Sequence, residues 1–493
     1  MSSPMFVGVE TEFGIAVVGP SQVNPVLASS MVVGAYRAAG LGEVRWDHAD
    51  EHPLRDARGY EVPDPHEPLG DEELGLANTV LTNGARFYVD HAHPEYSSPE
   101  VTSARDLVIW DKAGERILEE AAEMAAASLP VGSRVLIHKN NTDGKGAAYG
   151  THENYLVPRE VAFGRLTRQL LPFFVSRPVY VGAGRIGSEL DPDLGYQLTQ
   201  RADFFEVEVG LETTLKRPLM NTRDEPHADP DRYRRLHVIN GDANLCEVAT
   251  YLKVGTLMVV LGLIEDEALP EPPALEEPVA AFHAVSHDLT QARPLRLADG
   301  TTATPLELQW HYLEAARKHD ERGGLPAGST EVIARWEAVL ATAERDPREL
   351  AGQVDWATKL QLLDAYRERD GLDWYHDRLK AVDLQYHDVR RDKGLYQRLV
   401  ARGRVETLVS EDEIQAAIHT PPEDTRAWFR GECLRRFPDQ VVAAGWDSLI
   451  LDVGRDALQR LPMMEPGRGT RAHVGQLLED ATDIGDLLDR LRA

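Results

Sequence analysis

The stretch that decides the fold is NGARFYVDHAHPEYSSPE, residues 83–100. Polar and apolar residues alternate in its first half, and successive side chains of a strand point to opposite faces. Arg86, Tyr88 and Asp90 therefore share one face, and the apolar residues between them enter the core. A cation, a phenol and a carboxylate then line one surface. Taken alone, this pattern fits a solvated sheet edge as well as a functional site.

The second half of the stretch is predicted to leave the sheet. Pro94 lacks an N–H group and is expected to end regular pairing just past Asp90. His91, His93 and Glu95 are then expected on the turn that follows, where a rigid scaffold commonly presents its chemistry.

Two acidic residues share a face near the N-terminus, in the predicted strand MFVGVETEFGI, residues 5–15. Glu10 and Glu12 are two positions apart, so their side chains lie next to each other. Neighbouring like charges repel, and a solvated edge tolerates them at small cost. A divalent cation would convert the repulsion into ligation by oxygen atoms, and we favour this interpretation.

A long segment without periodicity precedes the Asp90 strand. The residues from Arg45 to Glu73 contain four prolines among many acids, which is typical of an irregular, mobile loop. Such a loop inside a domain is usually a lid, a binding loop or a linker. We expect its deletion to leave the fold intact.

Composition excludes several classes of protein. The 493 residues carry 53 Lys and Arg against 81 Asp and Glu, and the net charge of −28 argues against a nucleic-acid partner. Two cysteines are too few for a disulfide framework, and the acids near the N-terminus do not fit an export signal. The apolar run Val254 to Ile264 is too short to cross a bilayer and is predicted to be a buried helix. We expect a cytoplasmic protein with no membrane partner.

The order of predicted elements indicates a large domain followed by a small one. Tandem prolines at 421 and 422 forbid helix continuation, so the boundary is placed between residues 1–420 and 421–493. A capping pattern at Ser103 begins a helix that runs to about Ala127. Further helices are predicted by apolar spacing near 3.6 residues at Glu331–Arg345, Arg348–Arg369 and Val382–Ala401.

The remaining polar candidates are His152, Glu206, Glu208 and His237, together with the arginines near positions 201–235. Sets of oxygen donors with one or two nitrogens suit Mg²⁺ better than zinc. Because Mg²⁺ shares its ligand shell with substrate phosphates, the acids indicate a metal–ATP cleft. Solvated ion pairs explain the arginines equally well at this point.

Together, these motifs resemble the family of Pup-processing enzymes, which contains a Pup ligase and a deamidase of Pup. The resemblance rests on GVETEFG at 8–14, NGARFYVD at 83–90, HPEY at 93–96, KNN at 139–141, HENY at 152–155, TRDEPHA at 222–228, RLH at 235–237, DKGLY at 392–396, TRA at 425–427 and GWDS at 445–448.

The resemblance implies an α+β fold like that of glutamine synthetase, with a curved antiparallel sheet backed by helices and a small C-terminal domain. It also implies the roles of the site residues. The implied Mg²⁺ ligands are Glu10, Tyr88 and Glu95, with Glu12 and His237 near the metal or the nucleotide. The implied ATP contacts are Arg86, Ser98 and Trp446, the catalytic carboxylate is Asp90, and the residues near a phosphate or the Pup carboxylate are Arg201 and Arg223.

The two members of the family catalyse opposite reactions, and two features resemble the deamidase. An insertion occupies about residues 45–78 ahead of the catalytic strand, and DHAHP follows at 90–94. The resemblance therefore implies hydrolysis of the glutamine amide of Pup and of its isopeptide bond to lysine, with Pup and pupylated proteins as partners and Mg-ATP as cofactor. The alternatives are an ATP-driven ligase and, from another class, an acidic adaptor that only binds Pup.

Overall fold

The computed structural model describes residues 5–42, 44–49, 51–61, 77–455 and 457–492. Its strands are β1 (Val7–Glu12), β2 (Gly14–Val18), β3 (Arg45–Trp46), β4 (Arg55–Asp56), β5 (Tyr60–Glu61), β6 (Asn78–Val80), β7 (Arg86–Asp90), β8 (His93–Ser97), β9 (Arg134–His138), β10 (Thr151–Pro158), β11 (Arg185–Ile186), β12 (Tyr196–Gln197), β13 (Phe205–Gly210), β14 (Arg217–Asn221), β15 (Tyr233–Val238), β16 (Leu295–Arg296), β17 (Thr302–Ala303), β18 (Val441–Ala444), β19 (Ser448–Leu451) and β20 (Gln459–Pro462).

Helices lie between and after these strands along the chain. Their bounds are Pro25–Tyr36, Ala104–Ala127, Phe163–Ser176, Pro178–Val181, Glu247–Glu265, Pro278–Ser286, Pro305–Asp320, Ser329–Arg345, Asp355–Asp370, Asp377–Tyr386, Leu395–Ala401, Glu411–Ala417, Ala427–Arg436, Arg471–Asp480 and Ile484–Arg492. Short 3₁₀ turns lie at Ala202–Phe204 and Pro347–Leu350, and a π-helical turn lies at Arg37–Leu41.

The centre of the structure is a six-stranded sheet in the order β15-β10-β1-β8-β7-β6. Every neighbouring pair in it is antiparallel. Phe87 and Val89 of β7 and Val7 and Val9 of β1 are buried in the hydrophobic core. Glu10 of β1 and Tyr88 and Asp90 of β7 lie at the alternate positions and therefore face the other side of the sheet. The alternation of polar and apolar side chains predicted from the sequence is confirmed, and the predicted α+β class is confirmed as well.

Helices cover the apolar side of the sheet. The predicted cap is present, because Ser103 Oγ accepts a hydrogen bond from the Asp106 N–H at 3.1 Å at the start of Ala104–Ala127. The predicted buried helix is longer than its apolar run and spans Glu247–Glu265. In the described part of the chain this is the one helix long and apolar enough to cross a membrane, and 94% of its apolar window is buried inside the protein.

The prediction that Pro94 ends the sheet is wrong. His93–Ser97 forms β8, which pairs with both β7 and β1, and only residues 91–92 form the turn. Val89, which lies opposite Pro94, directs its N–H to Ala77 O on the other neighbouring strand at 3.1 Å. Pairing at this position therefore needs no N–H group from Pro94, while the Pro94 carbonyl accepts a bond from Phe13.

The prediction of an irregular loop is also wrong for the described part of the segment after Arg45. Trp46 lies in strand β3, which pairs in parallel with β18, and β4 and β5 form a hairpin. Trp46 is 7% exposed and belongs to the hydrophobic cluster of the C-terminal region. Deleting the segment would remove this side chain from the core, so we now expect such a deletion to lower the stability of the protein. Residues 62–76 lie outside the described residues.

Two predicted helices have different limits. The helix expected at Arg348–Arg369 begins at Asp355, after a 3₁₀ turn. The helix expected at Val382–Ala401 is two helices, because residues 387–389 leave the helical path and bond to the end of β9. A pairing partner this distant in sequence overrides local helical spacing.

The C-terminal residues form a second layer beside the sheet. Their four-stranded sheet has the order β20-β19-β18-β3. Glu100, which follows β8, contacts Arg426 Nε at 2.8 Å and Arg430 Nη2 at 2.5 Å. These buried ion pairs fix the helix Ala427–Arg436 against the central sheet. The domain boundary near residue 420 stays a prediction.

The buried Trp46 gives a stability test. Trp46→Ala should lower the free energy of unfolding by about 3 kcal/mol, because the lost ring leaves a cavity in the C-terminal core. Urea titration measures the loss. Tyr60→Ala is the matched control, since Tyr60 lies in the same segment and is 49% exposed. Equal stability of the two variants would contradict the role assigned to Trp46.

Candidate active site

Three neighbouring strands bring oxygen atoms together on the open face of the sheet. Glu12 of β1 pairs with Glu95 of β8, which pairs with Tyr88 of β7. Asp90 lies two positions further along β7. The carboxylate oxygens of Glu12, Asp90 and Glu95 lie within 4.8 Å of one another. Glu95 is buried, and the side chain of Glu12 is 10% exposed, whereas the Asp90 side chain is 40% exposed.

Repulsion among these acids is large in the unliganded protein. Burial raises the pKa of Glu95 well above its usual range, and the charges of Asp90, Glu12 and Glu10 raise it further. The pKa of Tyr88 is also raised well above its usual range by burial and by the charges of Glu95 and Glu10. A divalent cation between these oxygens would remove the repulsion.

Hydrogen-bond donors on β10 hold Glu10 in its ionised form. Asn154 Nδ2 donates to Glu10 Oε1 at 2.6 Å, and His152 Nδ1 lies 3.5 Å from Oε2. Burial opposes ionisation of Glu10, but the hydrogen bond with His152 and the nearby charge of Arg235 help to hold the pKa well below its usual value. Glu10 is therefore a preformed anion.

Glu12 is fixed in a similar way from the two neighbouring strands. The N–H of Gly150 donates to Glu12 Oε1 at 2.6 Å, and His93 Nδ1 lies 3.0 Å from Oε2. A Cβ atom on Gly150 would come within 2.7 Å of the Glu12 oxygen, so glycine is required for this close approach. His93 stacks on Tyr149 with ring centroids 4.2 Å apart, which fixes the imidazole.

His237 offers an unused nitrogen to the same face. Its Nδ1 lies 2.8 Å from Asn154 Oδ1, whereas its buried Nε2 has no hydrogen-bond partner among the described residues. An unpaired buried nitrogen is costly unless a ligand fills the gap. The donor set fits Mg²⁺, because carboxylate and phenol oxygens dominate it and one imidazole completes it.

Arg86 is held between two aromatic rings at the edge of the site. Its guanidinium carbon lies 3.9 Å from the centroid of Tyr88 and 4.2 Å from that of Trp46. Trp46 in turn packs edge-to-face against Trp446 at 5.1 Å. The predicted nucleotide residues Arg86 and Trp446 are thus linked through Trp46, which the sequence did not indicate as part of the site.

A cleft lies between the central sheet and the C-terminal region. Ser98 and Trp446 line it, together with Gly8, Pro226 and Arg426. Ser98 Oγ accepts a hydrogen bond from the Val9 N–H at 3.0 Å. The cleft runs along the strand that carries Glu10, and Glu10 is itself one of its lining residues.

The two predicted anion-binding arginines differ in their surroundings. Arg201 is 1% exposed and directs Nη1 to the carbonyls of Ile239 and Gly241, and burial lowers its pKa to about 10. Burial and the charge of Arg235 lower the pKa of Arg223, while the charges of Glu10, Glu225 and Asp90 act in the opposite direction. The Nε atoms of both arginines have no hydrogen-bond partner among the described residues.

The sequence predicted two candidate residues that lie away from the site and did not predict two residues that lie in it. Glu206 and Glu208 lie exposed on β13, in a separate two-stranded sheet, and the structure does not bring them to the acid cluster. The sequence did not indicate the roles of His93 and Asn154, whose side chains contact the carboxylates of Glu12 and Glu10. The spacing on β10 offered one signal for Asn154, because residues two positions apart in a strand share a face and Asn154 therefore lies on the same face as His152.

The antiparallel sheet, its helical backing and the acids on its open face define an α+β protein with a cluster of buried carboxylates. The family described as "Pup-ligase protein" matches residues 5–450. The chain belongs to this family, as the sequence motifs predicted.

Three relatives are similar over most of the chain. A depupylase of Acidothermus cellulolyticus is 56% identical and covers 98% of both chains. A Pup deamidase/depupylase of Mycolicibacterium smegmatis is 52% identical, covering 98% of this chain and 99% of its own. A Pup–protein ligase of Acidimicrobium ferrooxidans is 46% identical and covers 82% of this chain and 89% of its own.

Two solved structures have the same fold. The complex between the prokaryotic ubiquitin-like protein Pup and its ligase PafA has a TM-score of 0.81 at 32% identity, covering 99% of this chain and 94% of that chain. The Pup ligase PafA in complex with ADP has a TM-score of 0.74 at 34% identity, covering 85% of this chain and 95% of that one.

The raised pKa of Glu95 predicts a pH-dependent stability of the metal-free protein. At a pH above the pKa of glutamate in the unfolded chain, the unfolded chain ionises Glu95 while the folded protein keeps it protonated. The free energy of unfolding therefore falls as pH rises toward the pKa of Glu95 in the folded protein. Glu95→Gln removes this loss. In EDTA, we expect its unfolding temperature to exceed that of the parent protein at pH 8 and to approach it at pH 5.

The matched control is Glu206→Gln, which changes an exposed glutamate. It should leave the unfolding temperature unchanged at both pH values. A Glu95→Gln protein that follows the parent curve at both pH values would contradict the electrostatic account of the acid cluster.

Proposed function

We propose that the protein is a Pup deamidase and depupylase that binds Mg-ATP as a cofactor and works in the cytoplasm. It hydrolyses the side-chain amide of the C-terminal glutamine of Pup and the isopeptide bond between Pup and a substrate lysine. Both bonds are amides of one side-chain carboxyl group, so a single site serves both reactions.

The observation that carries this proposal is the position of Asp90. Its carboxylate lies beside the buried Glu12 and Glu95 and is itself 40% exposed at the mouth of the cluster. The buried acids are suited to holding a cation, and the exposed one can reach a substrate carbonyl. The identity of 52–56% with a depupylase and a deamidase over nearly the whole chain supports the same assignment.

Asp90 has two chemical routes to hydrolysis. Its oxygen can attack the amide carbonyl to form an acyl intermediate that water then cleaves, or it can remove a proton from an attacking water. Arg223, whose Nε is unpaired, is placed to stabilise negative charge near Asp90. After turnover in H₂¹⁸O, label in the Asp90 carboxylate would identify the acyl route, because general-base catalysis places the water oxygen only in the glutamate of Pup.

The cofactor proposal follows from the donor set. Glu10, Glu12, Tyr88, Glu95 and His237 would hold Mg²⁺, and Arg86, Ser98 and Trp446 would contact ATP. Arg201 and Arg223 would lie near a phosphate or the Pup carboxylate. A bound Mg²⁺ supplies positive charge to nucleotide phosphates. The ADP complex of a 34% identical relative supports nucleotide binding in this fold.

The second candidate function is ATP-dependent ligation of Pup to lysine. It is favoured by the solved relatives, which are Pup ligases. Against it, the ligase relative is less similar and covers less of the chain than the two hydrolytic relatives.

An ammonia assay decides between these functions. With ATP, Mg²⁺ and the glutamine form of Pup, the parent protein should release ammonia. Asp90→Asn should lower the rate at least about 100-fold, because the amide can neither accept a proton nor attack the carbonyl. Glu208→Gln, a change at an exposed carboxylate on β13, is the control and should keep the parent rate.

Conjugates formed from the glutamate form of Pup, without ammonia release from the glutamine form, would overturn the hydrolase proposal. Persistence of the full rate in Asp90→Asn would overturn the catalytic role of this residue while leaving the reaction class intact.

A further inference from the structure

The turn between β7 and β8 contains a conformation that is unusual for its residue. Asp90 pairs with His93, so only two residues connect the strands. His91, the first of them, has φ of 52°. Tight two-residue turns favour glycine where φ is positive, because a side chain is strained there. Strain of this kind persists only where surrounding structure maintains it, and it clusters at functional sites.

The unusual conformation changes the direction of the His91 side chain. In a continuing strand, the residue after Asp90 would point to the opposite, apolar face. In the turn, the imidazole instead lies on the Asp90 side, with Nδ1 2.9 Å from Asp90 Oδ1. Ser29 Oγ donates to the Ala92 carbonyl at 2.8 Å, which holds the turn against the neighbouring helix.

The charges around His91 favour an ion pair with Asp90. The helix Pro25–Tyr36, which packs on this hairpin, has no charged residue. Among the described residues, Asp90 and Glu12 are the charged groups that act on the imidazole, and the contact with Asp90 raises its pKa to about 9. No other side chain in the described ranges forms a hydrogen bond or ion pair with the Asp90 carboxylate.

We propose that His91 is a positioning residue for hydrolysis. Its imidazole holds Oδ1 of Asp90 so that Oδ2 faces the substrate amide. The inference rests on the proposed function. It explains why a histidine occupies a turn position that favours glycine. A half-exposed carboxylate without such a contact samples several rotamers, and only some of them direct an oxygen toward the carbonyl.

The test uses His91→Gly in the full-length protein, with the glutamine form of Pup, ATP and Mg²⁺. The variant should have an equal or higher unfolding temperature, because glycine relieves the strain. Its kcat for ammonia release should fall about 10- to 100-fold, as expected for the loss of one charge-assisted contact. KM should stay unchanged. His91→Asn tolerates positive φ and keeps an amide N–H donor, so it should recover part of the lost kcat.

Glu267→Gly is the matched control, since Glu267 also has a positive φ of 55° and lies just after the helix Glu247–Glu265, away from the site. It should keep the parent kcat. An unchanged kcat in His91→Gly, or a loss accompanied by a lower unfolding temperature, overturns the positioning role alone. A parent protein that releases no ammonia overturns the proposed function and this inference with it.

Discussion

The constraint on which the rest of the structure depends is the crowding of carboxylates on one face of an antiparallel sheet. Register places Glu12 directly opposite Glu95, and strand alternation prevents either side chain from turning away. The surrounding groups compensate for this crowding. Amide, imidazole and backbone N–H donors hold the acids of β1, while Glu95 depends on a raised pKa or a cation. The fold thus creates a site that a divalent cation would stabilise.

The second organising contact joins the C-terminal region to this face. Arg86 lies between the rings of Tyr88 and Trp46, and Trp46 packs against Trp446. The same region is fixed by the ion pairs of Glu100 at the end of the strand that carries Glu95. Because both contacts involve strands of the acidic face, a shift of the C-terminal layer would be transmitted to the site.

The sequence predicted what depends on local periodicity and missed what depends on distant pairing. Alternation placed Glu10 and Asp90 on the correct face, because the period of a strand is a local property. Asn154 meets His237 although 83 residues separate them, and nothing in either segment encodes that register. Trp46 was assigned to a loop for the same reason, since its strand partner lies near residue 444. In a sequence, a neutral hydrogen-bond donor such as Asn154 also looks like an ordinary polar surface residue until its acceptor is known.

The acidic face alone does not determine the direction of the reaction, because binding a metal-nucleotide serves both ligation and hydrolysis. Ligation requires that an activated carboxyl group be kept from water, which competes with the incoming amine. Hydrolysis requires water at the same carbon. The side chain of Asp90 is 40% exposed, whereas Glu12 and Glu95 are buried. With Asp90 as the reacting group, its oxygen would lie where solvent reaches it, and this division between exposed and buried acids favours hydrolysis.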